Sequence, residues 1–100
     1  MDIRIIKSPS AGTIDILKHR ISNADDVGRV DAVGLVQGKL IDMVVAADIA
    51  EKAVGVTVRD VRGSCPQNMV LLAMFGDTAS VEAALEQIRT EMAPYSPVKE

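Results

Sequence analysis

The stretch Arg62, Gly63, Ser64, Cys65, Pro66, Gln67, Asn68 constrains the fold more than any other, because it separates two apolar runs of strand length. Residues 56–61 begin in alternation and then break it, whereas Met69, Val70, Leu71, Leu72, Ala73, Met74 and Phe75 are continuously apolar. Two such runs joined by a turn-rich segment predict a β-hairpin. Gly63 can take positive φ, Ser64 can bond to nearby backbone, and Pro66 fixes its own φ while pushing Cys65 toward an extended conformation. The only cysteine of the chain is therefore expected on a stiff loop tip.

A chain of 100 residues makes one domain with a real core. Although 48% of it is apolar, Phe75 and Tyr95 are its only aromatic residues, so that core must be built from Val, Ile, Leu, Ala and Met. A net charge of −3 with scattered Lys and Arg argues against nucleic-acid binding. Met1, Asp2, Ile3 and Arg4 lack the layout of a signal peptide, and no apolar run approaches the ~20 residues of a membrane span. A cytoplasmic protein is expected. A single cysteine excludes an intrachain disulfide and leaves a free thiol, a metal ligand, or a pairing with the same thiol of another chain.

Read in order, residues 3–6 predict a short strand, and Thr13 an N-cap for a helix bearing Ile14, Leu17 and Ile21. Residues 22–29 are polar linker, and residues 30–36 a second strand. Residues 39–54 predict the longest helix, whose polar residues Asp42, Asp48, Glu51 and Lys52 are too few to cover half its surface. Burial on two sides follows, one against the sheet and one against a neighbouring subunit. Gly55 suits the position after that helix. After the hairpin, Asp77 or Thr78 caps a helix with Val81, Ala84, Leu85, Ile88 and Met92 on one face, ended by Pro94 and Pro97. The order β-α-β-α-β-β-α makes an α+β fold, helices packed on a mostly antiparallel sheet.

His19, between Lys18 and Arg20, reads as a solvated residue, and Asp25 and Asp26 as a loop. Met43, Met69, Met74 and Met92 read as core. One cysteine and one histidine, with nothing to bring them together, do not make a catalytic pair, and an enzyme is not expected. A regulatory or ligand-binding module of this layout would be a monomer, dimer or trimer.

Ala32-Val33-Gly34-Leu35-Val36, the helix with Ala46-Ala47-Asp48-Ile49-Ala50-Glu51-Lys52-Ala53, the strand-loop-strand, and Gly76-Asp77-Thr78-Ala79-Ser80-Val81-Glu82-Ala83-Ala84 follow one another in the order and spacing of a known family. Together they resemble the bacterial microcompartment (BMC) shell-protein domain, with the match over residues 30–92. The ordinary domain continues into a further strand and helix; here a strand and helix precede the match, as in the circularly permuted branch. The resemblance implies a single permuted BMC domain over residues 1–100, with 1–29 as permuted strand-helix and linker and 93–100 as tail. It also implies a cyclic homohexamer tiling a shell with other shell proteins around encapsulated enzymes, its pore lined by Arg62, Gly63, Ser64, Cys65, Pro66 and Gln67.

A Cys-Pro pair in that loop departs from the small glycine-serine pores of the family and is most similar to the GrpU-type branch of glycyl-radical propanediol compartments. That likeness implies an iron–sulfur cluster at Cys65. Rotational symmetry turns one cysteine per chain into a ring of thiols, and four thiolates are the usual complement of a four-iron cluster. A 4Fe-4S cluster shared between subunits at the pore, passing electrons across the shell, is the expectation. Arg62 would offset the cluster's negative charge, and the N–H groups of Gly63 and Ser64 could donate to its sulfurs. The alternative is a pore with a free thiol that conducts small polar metabolites.

Overall fold

The computed structural model of the chain describes residues 1–63 and 69–95. Four antiparallel strands, β1 (Asp2–Lys7), β2 (Ala32–Lys39), β3 (Val56–Val61) and β4 (Met69–Gly76), form one sheet in the order β1-β2-β4-β3. Between and after them come the helices α1 (Ala11–Lys18), α2 (Leu40–Glu51) and α3 (Thr78–Met92), with short 3₁₀ turns at Ala24–Asp26 and Ala93–Tyr95. This is the α+β layout and element order read from the sequence.

Both faces of the sheet are covered, which explains why β4 is apolar at successive positions instead of alternating. On one face α2 and α3 pack over Ala32, Val36, Val58, Leu72 and Met74, contributing Met43, Ala46, Ile49, Ala50, Val81, Ala84, Leu85, Ile88 and Met92. On the other, Leu17 of α1 and the linker residues Ile21 and Val27 meet Val33, Val61, Ala73 and Phe75. Consecutive residues of the central strands thus enter opposite cores. Of the methionines read as core, Met43, Met74 and Met92 are buried and Met69 is half-buried.

Helix starts follow the side chains able to satisfy free N–H groups. Asp77 caps α3, accepting the Ser80 N–H at 2.8 Å and the Ser80 hydroxyl at 2.8 Å. For α1 the cap is Ser10, not Thr13: Ser10 Oγ accepts the Thr13 N–H at 3.2 Å, so Thr13 lies within the first turn. Ser8, with φ 51, turns the chain ahead of Ser10. Ile21 also lies beyond α1, buried in the linker rather than on the helix face. Lys39 occupies the N-cap position of α2 without a side-chain bond.

Two close approaches set the layer spacing. A Cβ on Gly34 would lie 3.0 Å from Val81 Cγ1 and 3.1 Å from Leu85 Cδ2, so α3 rests directly on the β2 backbone. Gly55, at φ +87, turns the chain from α2 into β3, and a side chain on Gly76 would meet its carbonyl. At the sheet edge Asp2 pairs with Gln37, which brings Met1 beside Gly38 near the end of β2.

Candidate functional site

The β3–β4 hairpin is present, with Val61 opposite Leu71 as its last pair before the loop. Of the loop residues named from the sequence, Arg62 and Gly63 are exposed, and a side chain on Gly63 would meet open space. Ser64, Cys65, Pro66 and Gln67 lie outside the described residues, as does Asn68. Among the described residues, no three His, Cys, Asp or Glu side chains gather closely enough to hold a metal ion.

The root of the loop is tied to the N-terminal segment. The Arg62 N–H donates to the Arg20 carbonyl at 2.7 Å, and Arg20 Nη1 donates back to the Arg62 carbonyl at 3.3 Å. Arg62 Nη1 donates to Ser22 Oγ at 3.0 Å, and Arg59 Nε to the Ser22 carbonyl at 3.2 Å. The Arg62 guanidinium is therefore engaged with the linker on the α1 side of the sheet. Arg20, Ser22 and Arg59 did not stand out in the sequence, since nothing local links positions about forty residues apart; only the excess of polar residues around Ser22 marked that linker. The other titratable residues weighed from the sequence stay apart from the loop: His19 is exposed, with Nδ1 2.7 Å from the Asp15 carbonyl, and Asp25 and Asp26 lie exposed in the 3₁₀ turn.

A second surface lies on α2. Met43, Ala46, Ile49 and Ala50 face the sheet, while Leu40, Ile41, Val44 and Val45 face outward, Ile41 at 74% and Val44 at 62% exposure. The two-sided apolar character read from residues 39–54 is thus present, one side buried in the protomer and one side open. Val54, 90% exposed, lies past the other end of α2 and borders an open groove with Lys52, Ala53, Ala79, Ser80 and Gln87. Among the described residues no helix is long and apolar enough to cross a membrane.

Electrostatics are mild. The Ser80 backbone and side-chain hydrogen bonds hold the Asp77 carboxyl below its ordinary value, as expected for a helix cap. A hydrogen bond from Lys52 to Asp48, and the charge of Asp48, raise the Lys52 ammonium above its own.

The BMC domain family matches residues 32–96. The ligand-free GrpU microcompartment shell protein from Clostridiales bacterium 1_7_47FAA is 54% identical, covering 95% of this chain and 99% of that one, at a TM-score of 0.73. The ligand-free GrpU microcompartment shell protein from Pectobacterium wasabiae is 32% identical, covering 88% and 99%, at a TM-score of 0.71. No curated protein matches the sequence.

Proposed function

The chain belongs to the BMC domain family, and on that premise we propose that it is a structural protein of a bacterial microcompartment shell, assembling as a cyclic homohexamer with the β3–β4 loop at the six-fold axis. The observation that carries this reading is identity of 54% to a microcompartment shell protein across nearly the whole of both chains. The outward face of α2 supports assembly, because four large aliphatic side chains on one helix face, Leu40, Ile41, Val44 and Val45, gain by leaving water. Other shell proteins and encapsulated enzymes are the partners that follow, and the role is architectural rather than catalytic.

Within this reading, Cys65 presents a ring of thiols at the pore that holds a 4Fe-4S cluster shared between subunits. Since the chain contains a single cysteine, three or more ligands require as many chains, which a ring supplies. When bound, such a cluster supplies one-electron chemistry, suited to passing electrons across the shell. The chain's own contributions are the Cys65 thiolate as ligand and the N–H groups of Gly63 and Ser64 as donors to cluster sulfur.

The test is anaerobic purification of the wild type and Cys65→Ser, with oligomer mass, iron and acid-labile sulfide measured on both. A hexamer whose iron and sulfide vanish in Cys65→Ser is the expected result. A metal-free wild-type hexamer would leave Cys65 as a free thiol in a metabolite-conducting pore, and a monomer or dimer would overturn the shell assembly itself.

A further inference from the structure

We propose that Arg20, Arg59 and Arg62 form a binding site for a small phosphoryl anion on the α1 face of the sheet, at the root of the β3–β4 hairpin. Two guanidinium groups meet at Ser22, Arg59 donating to its carbonyl and Arg62 to its hydroxyl, and a third, that of Arg20, donates to the carbonyl of Arg62. Among the described residues the partners holding these groups in place are all neutral. Among the described residues none of the three arginines forms an ion pair, although ion pairs occur elsewhere, Lys7 with Glu82, Arg29 with Asp31, Lys52 with Asp48 and Arg89 with Glu86.

The nearest acidic residues in sequence do not serve. Alternation along β3 sends Arg59 and Val61 toward the α1 side, where Val61 is buried with Leu17 and Ile21, and sends Asp60 with Val58 to the opposite face. Asp25 and Asp26, in the 3₁₀ turn after Ser22, make no ion pair with the three arginines. Positive charge is thus concentrated in a chain whose net charge is −3.

A guanidinium has five N–H donors in a rigid plane and cannot lose its proton. The hydrogen bonds above occupy one donor on Arg20, one on Arg62 and, counting the bond to the Val58 carbonyl, two on Arg59. Among the described residues most of the donors have no partner, on groups already held in position. Forks of this kind match tetrahedral oxyanions with two parallel N–H···O bonds, and converging positive charges favour a polyanion over a monoanion. The ligand class is therefore a phosphate or diphosphate group, free or carried by a small metabolite. All three arginines belong to one protomer, so the proposed site needs no residue from a second chain.

The experiment is calorimetric titration of the full chain with sodium pyrophosphate and with inorganic phosphate at low ionic strength, in the Cys65→Ser background so that no cluster contributes. Pyrophosphate is expected to bind at one per chain, more tightly than phosphate. Its affinity should fall at least tenfold in Arg59→Gln and in Arg20→Gln, partly return in Arg59→Lys, and stay unchanged in Lys7→Gln. Arg20→Gln keeps the main-chain bond between Arg62 and Arg20, so a folded variant is available even if Arg59→Gln does not fold. Absence of binding by the parent protein at millimolar pyrophosphate, or equal binding by Arg20→Gln and the parent, overturns the site. Oligomer mass recorded on the same samples reports separately on the shell assembly.

Discussion

Arg20 and Arg62, distant in sequence, exchange hydrogen bonds in both directions: the Arg62 N–H reaches the Arg20 carbonyl at 2.7 Å, and Arg20 Nη1 reaches the Arg62 carbonyl at 3.3 Å. The segment after α1 is therefore one wall of the loop root, and it lies outside the residues that the BMC domain family matches.

The pairing of Ser22 with Arg62 gives the first expectation. Each of Ser22→Ala and Arg62→Ala should lower stability by about 1 kcal/mol or less, because both groups are exposed and water replaces the lost bond. The coupling between them in a double-mutant cycle should be about 0.5 kcal/mol. Chemical denaturation of the four proteins checks this, and strictly additive effects would mean that the side-chain bond at 3.0 Å contributes nothing.

At Gly34 the expectation is overpacking. Alanine there stiffens the unfolded chain, a gain of about 0.4–1 kcal/mol, but its Cβ would sit 3.0 Å from Val81 Cγ1 and within 3.2 Å of Leu85. Crowding of this kind costs about 1–3 kcal/mol. A net loss for Gly34→Ala, a larger loss for Gly34→Val, and partial rescue of Gly34→Val by Leu85→Ala in thermal melts are the expected results.

Asp77 links stability to pH. Its carboxyl is held below the ordinary value of 3.8, first by the Ser80 N–H and then by the Ser80 hydroxyl. A carboxyl depressed in the folded state adds stability that is complete above its unfolded pKa and is lost as pH falls through the folded one. Asparagine also caps helices but does not ionise. Asp77→Asn should therefore flatten the fall in melting temperature below pH 3.8 and leave the profile near neutrality parallel to that of the wild type.

On α2, the double substitution Ile41→Lys with Val44→Asp alters two side chains that are 74% and 62% exposed in the protomer. Surface changes of this kind rarely disturb a fold. Far-UV circular dichroism should be retained while the mass by light scattering falls below that of the wild-type assembly. An assembly of unchanged mass would show that this face is not buried between subunits.

Much of this architecture was legible because the signals are local. Val81, Ala84, Leu85, Ile88 and Met92 share one helical face in sequence and are all buried. The hairpin was legible from the turn residues between its two runs, and the two-sided character of α2 from its shortage of charge. The start of α1 is misplaced in the sequence reading because Ser10 and Thr13 are both capping types three residues apart, and the cap bond that distinguishes them leaves no periodic mark. Nor could periodicity say which sheet face α1 would cover, since an apolar stripe specifies burial but not its partner. The arginine cluster was hidden for the same reason: Arg20 and Arg59 come together only through tertiary structure. Cys65, the residue on which the sequence places the most chemistry, lies outside the described residues.

The pairing of Asp2 with Gln37 has a practical consequence for anyone modifying the protein. Because Met1 lies beside Gly38, two residues before α2 begins, a peptide joined ahead of it leaves the fold close to the junction of β2 and α2. An affinity handle at that end would sit beside the helix that carries the exposed Ile41 and Val44, so oligomer mass is best measured after the handle has been cleaved.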